Sequence, residues 1–392
     1  MVWNETCAME ERMRFVTSWL QGEESIATLC RRYGVSRKTG YKWLSRYRGE
    51  GVSGLEDRSR APHGNSRSIA SAVATALIEV RQRHPHWGPR KVKAWLERHE
   101  PDVPWPAAST IGCLFDRVQL TVPRKRRRRV APHGEPFAAC RAANDVWCVD
   151  FKGWFMTGSG RRVDPLTLSD AHSRFLLRCE AVDRADEAHV WPVLVSAFRE
   201  YGLPRALRSD NGPPFASLAA GGLSRLSVKL IKAGIRPERI EPGKPQQNGR
   251  HERMHLTLKQ ETASPPAGTL RAQKWRFARF RDIYNTERPH EALGQLPPAT
   301  FYVSSPRPFD GVLRSPDYDG DTVIRRVRQS GEIKWRGKLV FLSAVLVGEP
   351  VGLTEIADDV WLVRYGPVVL GRINGKEGFR RLGSGSRSRP KA

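Results

Sequence analysis

The chain has 392 residues, with 66 Lys or Arg against 41 Asp or Glu, which gives a formal net charge of +25 at pH 7. Since domains usually hold about 100 to 200 residues, this length predicts two to four of them. The charge predicts a polyanionic partner and disfavours a protein that binds acidic small molecules. With 12 Trp and 14 Phe, the chain also carries too many large apolar side chains for a disordered basic protein.

The sequence has no signature of a membrane or disulfide-bonded protein. No charge-free stretch reaches the roughly 18 residues of a membrane span, and acidic residues near the N-terminus disfavour a signal peptide. The six cysteines are scattered, with neither a Cys-x-x-Cys pair nor the spacing of a zinc finger. We therefore expect reduced thiols in a soluble, cytoplasmic, nucleoid-associated protein that does not bind a membrane.

Residues 23–48 have the pattern of helix, tight turn, helix. Gly34 can supply the positive φ of the turn and Ser36 can cap the second helix. That helix would then present a basic N-terminal cluster, as a recognition helix does when it meets DNA. We expect DNA contacts from Arg37, Lys38, Thr39 and Lys42.

The same pattern has an alternative interpretation. A helical hairpin with a solvated basic face, which does not bind DNA as a recognition helix does, would show it too. Gly40 lies inside the expected recognition helix and should weaken it by roughly 1 kcal/mol.

A second helical block follows a break at residues 53–68 that is rich in Pro, Gly and Ser. Trp87, Val92 and Leu96 suggest one buried helix face, and the block resembles a second DNA-binding unit. It is followed by six consecutive basic residues whose mutual repulsion prevents compact structure until an anion neutralises them. We expect these to track phosphates as a flexible tether, although a solubilising linker is the alternative: Arg124, Lys125, Arg126, Arg127, Arg128 and Arg129.

After this run the pattern changes to short β-type segments that alternate with helical ones, which predicts a mixed α/β domain. From about residue 310 short strands separated by Gly and Asp turns predict a small all-β barrel or sandwich. The last residues lack apolar side chains, so we expect a disordered tail.

Three acidic residues stand out in the α/β region. Asp150 and Asp210 each end an apolar strand-like run, and Glu252 opens an amphipathic helix after a loop of Pro, Gly and Asn. Two strand-end aspartates and a helical glutamate can converge on two divalent cations, which together activate an oxygen nucleophile and stabilise the leaving oxygen of a phosphodiester. Mg²⁺ prefers oxygen ligands, so carboxylates suit it. His255 and Lys259 lie three and seven residues later on the same helix face, where we expect them to contact DNA.

A single carboxylate of this kind is more often a solvated surface group. Here, however, the three occur in the segments DFKG, SDNGPPF and PGKPQQNGRHERMH, followed by YNTERPHEAL. Their order and spacing resemble the integrase-core transposases, within the larger family that includes retroviral integrases. More narrowly, nearly the whole chain resembles a bacterial insertion-sequence transposase of the four-eight-one group.

This resemblance implies a multidomain protein with all-α helix-turn-helix units, an α/β RNase H-like catalytic core and a C-terminal all-β SH3-like barrel. It also implies that Asp150, Asp210 and Glu252 are the catalytic, metal-binding acids, with two Mg²⁺ ions that Mn²⁺ can replace. The implied activity is cleavage of double-stranded DNA at element ends and joining of the 3′-hydroxyl to target DNA by a homo-oligomer. The expected boundaries are residues 1–60 and 61–123 for the helical domains, 124–140 for the linker, 141–303 for the core, 310–382 for the barrel and 383–392 for the tail.

Two alternatives share this ancestry: a domesticated DNA-binding regulator without catalysis, and a nuclease that cuts without joining.

One interval between the motifs of the core departs from the pattern of the family. Glu252 follows Asp210 by 42 residues, a long interval that suggests an insertion around SLAAGGLSRLS.

Four other polar residues are weaker candidates. Asp170 falls at a strand turn, where aspartate often bonds only the backbone. Asp145 precedes the strand of Asp150, and Glu261, nine residues beyond Glu252, would face roughly the opposite side of a continuous helix. His290 has no chemical role that the residues suggest, so we expect a structural or DNA-facing position for it.

Overall fold

The computed structural model describes residues 7–58, 69–121, 140–240, 249–375 and 378–381. The chain forms two compact units, Met1–Ser68 and Ile69–Ala392. The basic run at 124–129 and the tail at 383–392 lie outside the described residues. Across the described ranges, no helix is long and apolar enough to cross a membrane.

The first unit contains the expected helix-turn-helix. Its helices are α1 (Ala8–Gln21), α2 (Ile26–Arg32) and α3 (Arg37–Glu50). The turn before α3 has Gly34 at φ +65°, and the Ser36 hydroxyl accepts the N–H of Thr39 at 3.2 Å. Both local predictions, the glycine turn and the serine cap, are therefore confirmed.

Gly40 has a different effect from the one its helix propensity suggests. It is buried within α3, and a Cβ built on it would lie 2.5 Å from Cys30 Sγ and 3.1 Å from Phe15 Cζ. The missing side chain lets α3 pack closely on α1 and α2. The expected weakening of α3 is thus offset by close packing, and the helix continues to Glu50.

The second unit begins with a three-helix block around Trp87, Val92 and Ile111, all 0 % exposed. Lys91 donates a hydrogen bond to Pro289 O, and Arg98 Nη2 donates one to Glu287 O at 2.9 Å. These bonds join the block to the α/β region that follows. The helices of the three-helix block are α4 (Ser71–Arg83), α5 (Pro89–His99) and α6 (Ala108–Arg117).

A six-stranded sheet forms the centre of the α/β region. Its order is β2-β3-β1-β5-β6, with β4 also paired to β3. β1 and β5 are parallel, as are β5 and β6, whereas β1 and β3 are antiparallel. The strands are β1 (Val146–Phe151), β2 (Phe155–Met156), β3 (Arg162–Asp170), β4 (Leu176–Val182), β5 (Ala206–Ser209) and β6 (Arg236–Arg239).

Helices cover both faces of this sheet. On one face Trp147 and Leu166 pack with Phe198, and on the other Leu176 packs with Phe277. This strand order with helices on both faces is the RNase H-like fold that the resemblance implied. The helices are α7 (Glu187–Tyr201), α8 (Arg225–Lys232), α9 (Gly249–Thr262) and α10 (Leu270–Thr286).

The C-terminal region is all-β, but the SH3-like barrel is not confirmed. Its strands form a five-stranded antiparallel sheet, β13-β12-β11-β10-β7, and a separate β8-β9 hairpin, and within the described residues neither closes on itself. The strands are β7 (Val323–Arg326), β8 (Glu332–Trp335), β9 (Lys338–Phe341), β10 (Pro350–Ala357), β11 (Val360–Tyr365), β12 (Val368–Asn374) and β13 (Gly378–Arg381).

The long interval between Asp210 and Glu252 includes the segment that joins this sheet to the core. Ala220, Leu223 and Ile231 belong to the same buried cluster as Leu370 of β12. A Cβ on Gly221 would lie 2.9 Å from Val368. The segment at 217–223 therefore supports the C-terminal sheet.

Candidate active site

Asp150 and Asp210 lie at the carboxyl ends of two adjacent parallel strands. The register of β1 and β5 runs to Cys148 opposite Arg208, and each aspartate lies two residues further along its segment. The apolar side chains of β1 are buried up to Val149. The side chain of Asp150, the next residue, is 17 % exposed. Neighbouring parallel strands of one sheet thus carry two of the three predicted acids at the same end.

The loop after β5 orients Asp210. Its Oδ1 accepts the N–H of Gly212 at 3.1 Å, and a Cβ on that glycine would lie 3.2 Å from the Asp210 carboxylate. The glycine of the DNG motif therefore leaves space beside the carboxylate and supplies a backbone donor to it.

Glu252 lies in the first turn of α9, with an exposed side chain. Lys259, one predicted DNA contact, is also exposed on this helix. Asp150 and Asp210 are oxygen donors that suit Mg²⁺. Among the described residues, however, no group of three or more His, Cys, Asp and Glu side chains is arranged to hold a metal. The structure thus places the two aspartates on neighbouring strand segments and Glu252 on a separate helix.

α9 is fixed to the sheet directly behind Asp150. Thr167, the β3 residue opposite Asp150, has its Oγ1 2.7 Å from Nε2 of His251 and 2.7 Å from Nε2 of His255. The same hydroxyl donates to the Asp150 carbonyl at 3.1 Å. Since a hydroxyl has one proton and two lone pairs, both imidazoles must donate to it through Nε2. Ser169 Oγ, 3.3 Å away, can then donate to Nδ1 of His251.

His255, which we expected to contact DNA, is buried. Its side chain is 8 % exposed, and its Nδ1 lies 3.9 Å from Asp150 Oδ2, too far for a direct hydrogen bond. Burial lowers the pKa of His251 to about 3 and that of His255 to about 2, which keeps both rings neutral. His255 therefore supports Asp150 from within the protein, instead of meeting DNA at its surface.

Thr167 and His251 were not among the predicted site residues. A signal was present for the histidine, because residues four apart on a helix share a face and His251 precedes His255 by four. Thr167 had no such signal, since its role depends on the antiparallel register of β1 and β3.

The weaker candidates have structural partners. Asp170 is 1 % exposed and accepts the N–H of Asn144 at 2.8 Å and that of Ser173 at 2.7 Å. Asp145 accepts the N–H of Arg141 at 2.9 Å. These bonds agree with the backbone-bonding role expected of Asp170.

Glu261 and His290 also contact neighbouring side chains of the second unit. Glu261 forms an ion pair of 2.5 Å with Arg288. His290 is 9 % exposed and its ring packs edge-on against Tyr284 at 4.6 Å between centroids. Of the two positions expected for His290, the structural one is correct.

The predicted recognition helix exposes its basic end. Arg37, Lys38 and Lys42 are exposed, and Thr39 is half-buried with its hydroxyl 2.9 Å from Ser36 Oγ. Lys42 Nζ lies 4.6 Å from the centre of the Trp43 ring, which is buried. The surface thus offers three cations at the N-terminus of α3.

Comparisons with protein families agree with this architecture. Residues 141–245 and 233–298 match integrase core domains. Residues 11–63 match a helix-turn-helix domain, and residues 39–115 match a homeodomain-like domain.

Two curated proteins are similar over most of their length. The insertion element IS476 uncharacterized 39.2 kDa protein of Xanthomonas euvesicatoria is 32% identical over 74% of this chain and 81% of its own. The insertion element IS407 uncharacterized 31.7 kDa protein of Burkholderia multivorans is 31% identical over 58% of this chain and 80% of its own.

Solved structures show a more distant likeness. The HTLV-2 integrase catalytic core, solved with magnesium, is 13% identical and matches 41% of this chain and 97% of its own with a TM-score of 0.33. A chain of the simian T-cell lymphotropic virus intasome is 14% identical and matches 78% of this chain and 98% of its own with a TM-score of 0.37.

Proposed function

Because the chain belongs to the integrase-core transposase family of bacterial insertion elements, we propose that it cuts DNA at the ends of such an element and joins the freed 3′-hydroxyl to target DNA. The resemblance of the motifs DFKG, SDNGPPF and NGRHER supports a place for it in the four-eight-one group. The observation that supports the proposal is the parallel pairing of β1 and β5, whose register ends at Cys148 and Arg208, two residues before Asp150 and Asp210. A regulator without catalysis has no need of such a carboxylate pair.

Three acids would hold the metal ions. Asp150 and Asp210 would share one Mg²⁺, and Asp150 and Glu252 a second, with Mn²⁺ able to replace either. When bound, such a pair activates the attacking oxygen and stabilises the leaving one. Thr167, His251 and His255 hold Asp150 and α9 against each other, so the protein's own part is to fix the positions of the carboxylates.

DNA would be held by several surfaces. Arg37, Lys38, Thr39 and Lys42 of α3 would read the element end, and Lys259 would contact DNA near the acids. The basic run at 124–129 would follow phosphates between the two, and the C-terminal sheet, which we take as the family's SH3-like module, would hold the duplex. Two active sites have to meet two DNA ends, so a homo-oligomer should assemble on DNA.

The test is an assay of products. Purified protein and its Asp150→Asn variant are incubated with labelled DNA carrying the terminal repeats and with a plasmid target, in Mg²⁺ or in EDTA. Labelled ends joined to plasmid, dependent on both Mg²⁺ and Asp150, are the expected result. Cutting without joining would favour the nuclease, and binding without products would favour the regulator.

Asp183→Asn serves as the matched control for this assay, because Asp183 is an exposed acid outside the site. It should cut and join at the rate of the unaltered protein. Duplex binding by Asp150→Asn should stay near that of the unaltered protein, so that a loss of products reports chemistry and not binding.

A further inference from the structure

A groove of about 530 Å³ lies outside the acidic site, within the second unit. One wall is the turn that follows α4, and the others are the end of α9 and the outer face of α10. None of its side chains has a role in the proposed cleavage chemistry. The residues that matter for its chemistry are Arg83, His84, Glu261, Trp275, Arg276 and Arg279.

Trp275 gives the groove an open aromatic surface. Its side chain is 61 % exposed, whereas Phe277 and Phe280 of the same helix are 0 % and 4 % exposed and supply the packing of α10 on the sheet. The Arg279 guanidinium lies 5.4 Å from the centre of the Trp275 ring. The indole is therefore not needed for the core, and a cation lies beside its face.

The charge of the groove is positive. Arg83, Arg276 and Arg279 line it, and the two acids in the lining are Glu261 and Glu287. Glu261 is neutralised by its ion pair with Arg288. Arg276 is held in place because its Nη1 donates to Pro265 O at 2.8 Å. This charge suits an anionic ligand.

His84 supplies an unsatisfied hydrogen-bonding atom. Its side chain is 9 % exposed and its ring stacks on Trp87 at 3.8 Å between centroids. Within the part of the chain that the structure describes, its buried Nε2 has no hydrogen-bond partner. The nearest carboxylate oxygen, on Glu287, is 3.9 Å away. A buried polar atom of this kind is costly unless a ligand satisfies it.

We propose that this groove binds an unpaired DNA strand, with a base stacked on Trp275 and phosphates at Arg83, Arg276 and Arg279. Stacking platforms set among cations bind single strands because each base has a face to stack and each nucleotide a charge. A base inside a duplex cannot offer its face to a flat indole. The groove would thus hold DNA strands that are unpaired next to cleaved ends. Binding of a strand in the groove does not require Asp150, Asp210 or Glu252.

Binding is measured with the full-length protein in EDTA, which prevents cleavage. The probe is fluorescent oligothymidylate, with excess unlabelled duplex present to occupy the duplex-binding surfaces. Trp275→Ala should weaken oligothymidylate binding about tenfold or more, and Trp275→Phe should restore most of it. Arg279→Ala should reduce the slope of log affinity against log salt by about 0.7.

The control is Arg199→Ala, since Arg199 is an exposed arginine on α7, away from the groove lining. It should leave oligothymidylate affinity unchanged, and blunt duplex affinity should be unchanged in every variant. Three results would overturn the proposal: wild-type oligothymidylate affinity in Trp275→Ala, an equal loss for duplex, or a loss only of self-association. Since no cleavage is measured, failure here is distinct from failure of the proposed catalysis.

Discussion

The imidazole of His255 faces the carboxylate of Asp150, with Nδ1 3.9 Å from Oδ2. Its other nitrogen is 2.7 Å from Thr167 Oγ1 on β3. Glu252 lies one turn before His255 on α9, so one helix carries both the third predicted acid and the ring that lies beside Asp150. We infer that the position of α9 on the sheet determines how well the acids can act together.

Removing the His255 ring should therefore slow catalysis without removing DNA binding. His255→Ala should reduce the rate of end cleavage at saturating DNA by about 10- to 100-fold, because small misplacements of reacting groups have effects of this size. His255→Gln can still donate to Thr167 and should regain much of the rate. Half-maximal activity of the alanine variant should also need more Mg²⁺.

Folding and duplex affinity of the His255 variants provide the controls, from circular dichroism and filter binding. A wild-type cleavage rate in His255→Ala would contradict a positioning role. So would a fall in duplex affinity as large as the fall in rate.

Two glycines in α3 should respond in opposite ways to alanine. Gly40→Ala places a methyl group 2.5 Å from Cys30 Sγ, so it should destabilise the first unit by about 1 to 3 kcal/mol. Gly49→Ala meets nothing within 4 Å and should stabilise the helix by up to about 1 kcal/mol. Thermal unfolding of both variants tests this, and stabilisation by both would show that α3 does not pack as described.

Buried His290 should make stability depend on pH. Burial and the neighbouring Lys91 and Arg288 lower its pKa to about 3, whereas in the unfolded chain it titrates near 6.5. Below pH 6.5 the unfolded chain binds a proton that the folded protein does not. This contribution to the free energy of unfolding therefore falls by about 1.4 kcal/mol per pH unit down to about pH 3.

Urea unfolding at pH 7 and pH 5 measures the effect. His290→Gln should lose about 2 kcal/mol less stability than the unaltered protein over this interval. His172→Gln, a change at an exposed histidine, should lose as much as the unaltered protein does. Equal losses in all three proteins would mean that His290 is protonated in the folded state.

The basic end of α3 should contribute to DNA binding through charge. If Lys38 contacts one phosphate, Lys38→Ala should reduce the slope of log affinity against log salt by about 0.9 on duplex DNA. Arg14→Ala, which removes an exposed cation from α1, should leave the slope unchanged. An unchanged slope for Lys38→Ala, measured by fluorescence anisotropy, would remove Lys38 from the DNA interface.

Local patterns in the sequence were sufficient for the helix-turn-helix of the first unit and for the strands that carry or precede Asp150 and Asp210. The positive φ of Gly34, the cap at Ser36 and these two strands depend on residues close together in the chain. The order of the motifs also led to the RNase H-like core, through the resemblance to a family.

Features that depend on distant residues were not predictable in the same way. The burial of His255 requires Thr167, 88 positions away, which only the strand register places opposite Asp150. The close packing around Gly40 depends on Cys30 of α2 and Phe15 of α1, which lie on other helices. The C-terminal strands were recognised as β, but strand pairing, not strand pattern, decides whether a sheet closes.

The most direct test of the central claim replaces Asp210 by cysteine and compares Mg²⁺ with Mn²⁺ in the end-cleavage assay. A thiolate is a poor ligand for hard Mg²⁺ and a better one for softer Mn²⁺. Asp210→Cys should be inactive in Mg²⁺ and recover activity in Mn²⁺, while Asp210→Ala stays inactive in both. Full activity of Asp210→Cys in Mg²⁺, or equal activity of the cysteine and alanine variants in both metals, would contradict a role for Asp210 as a metal ligand.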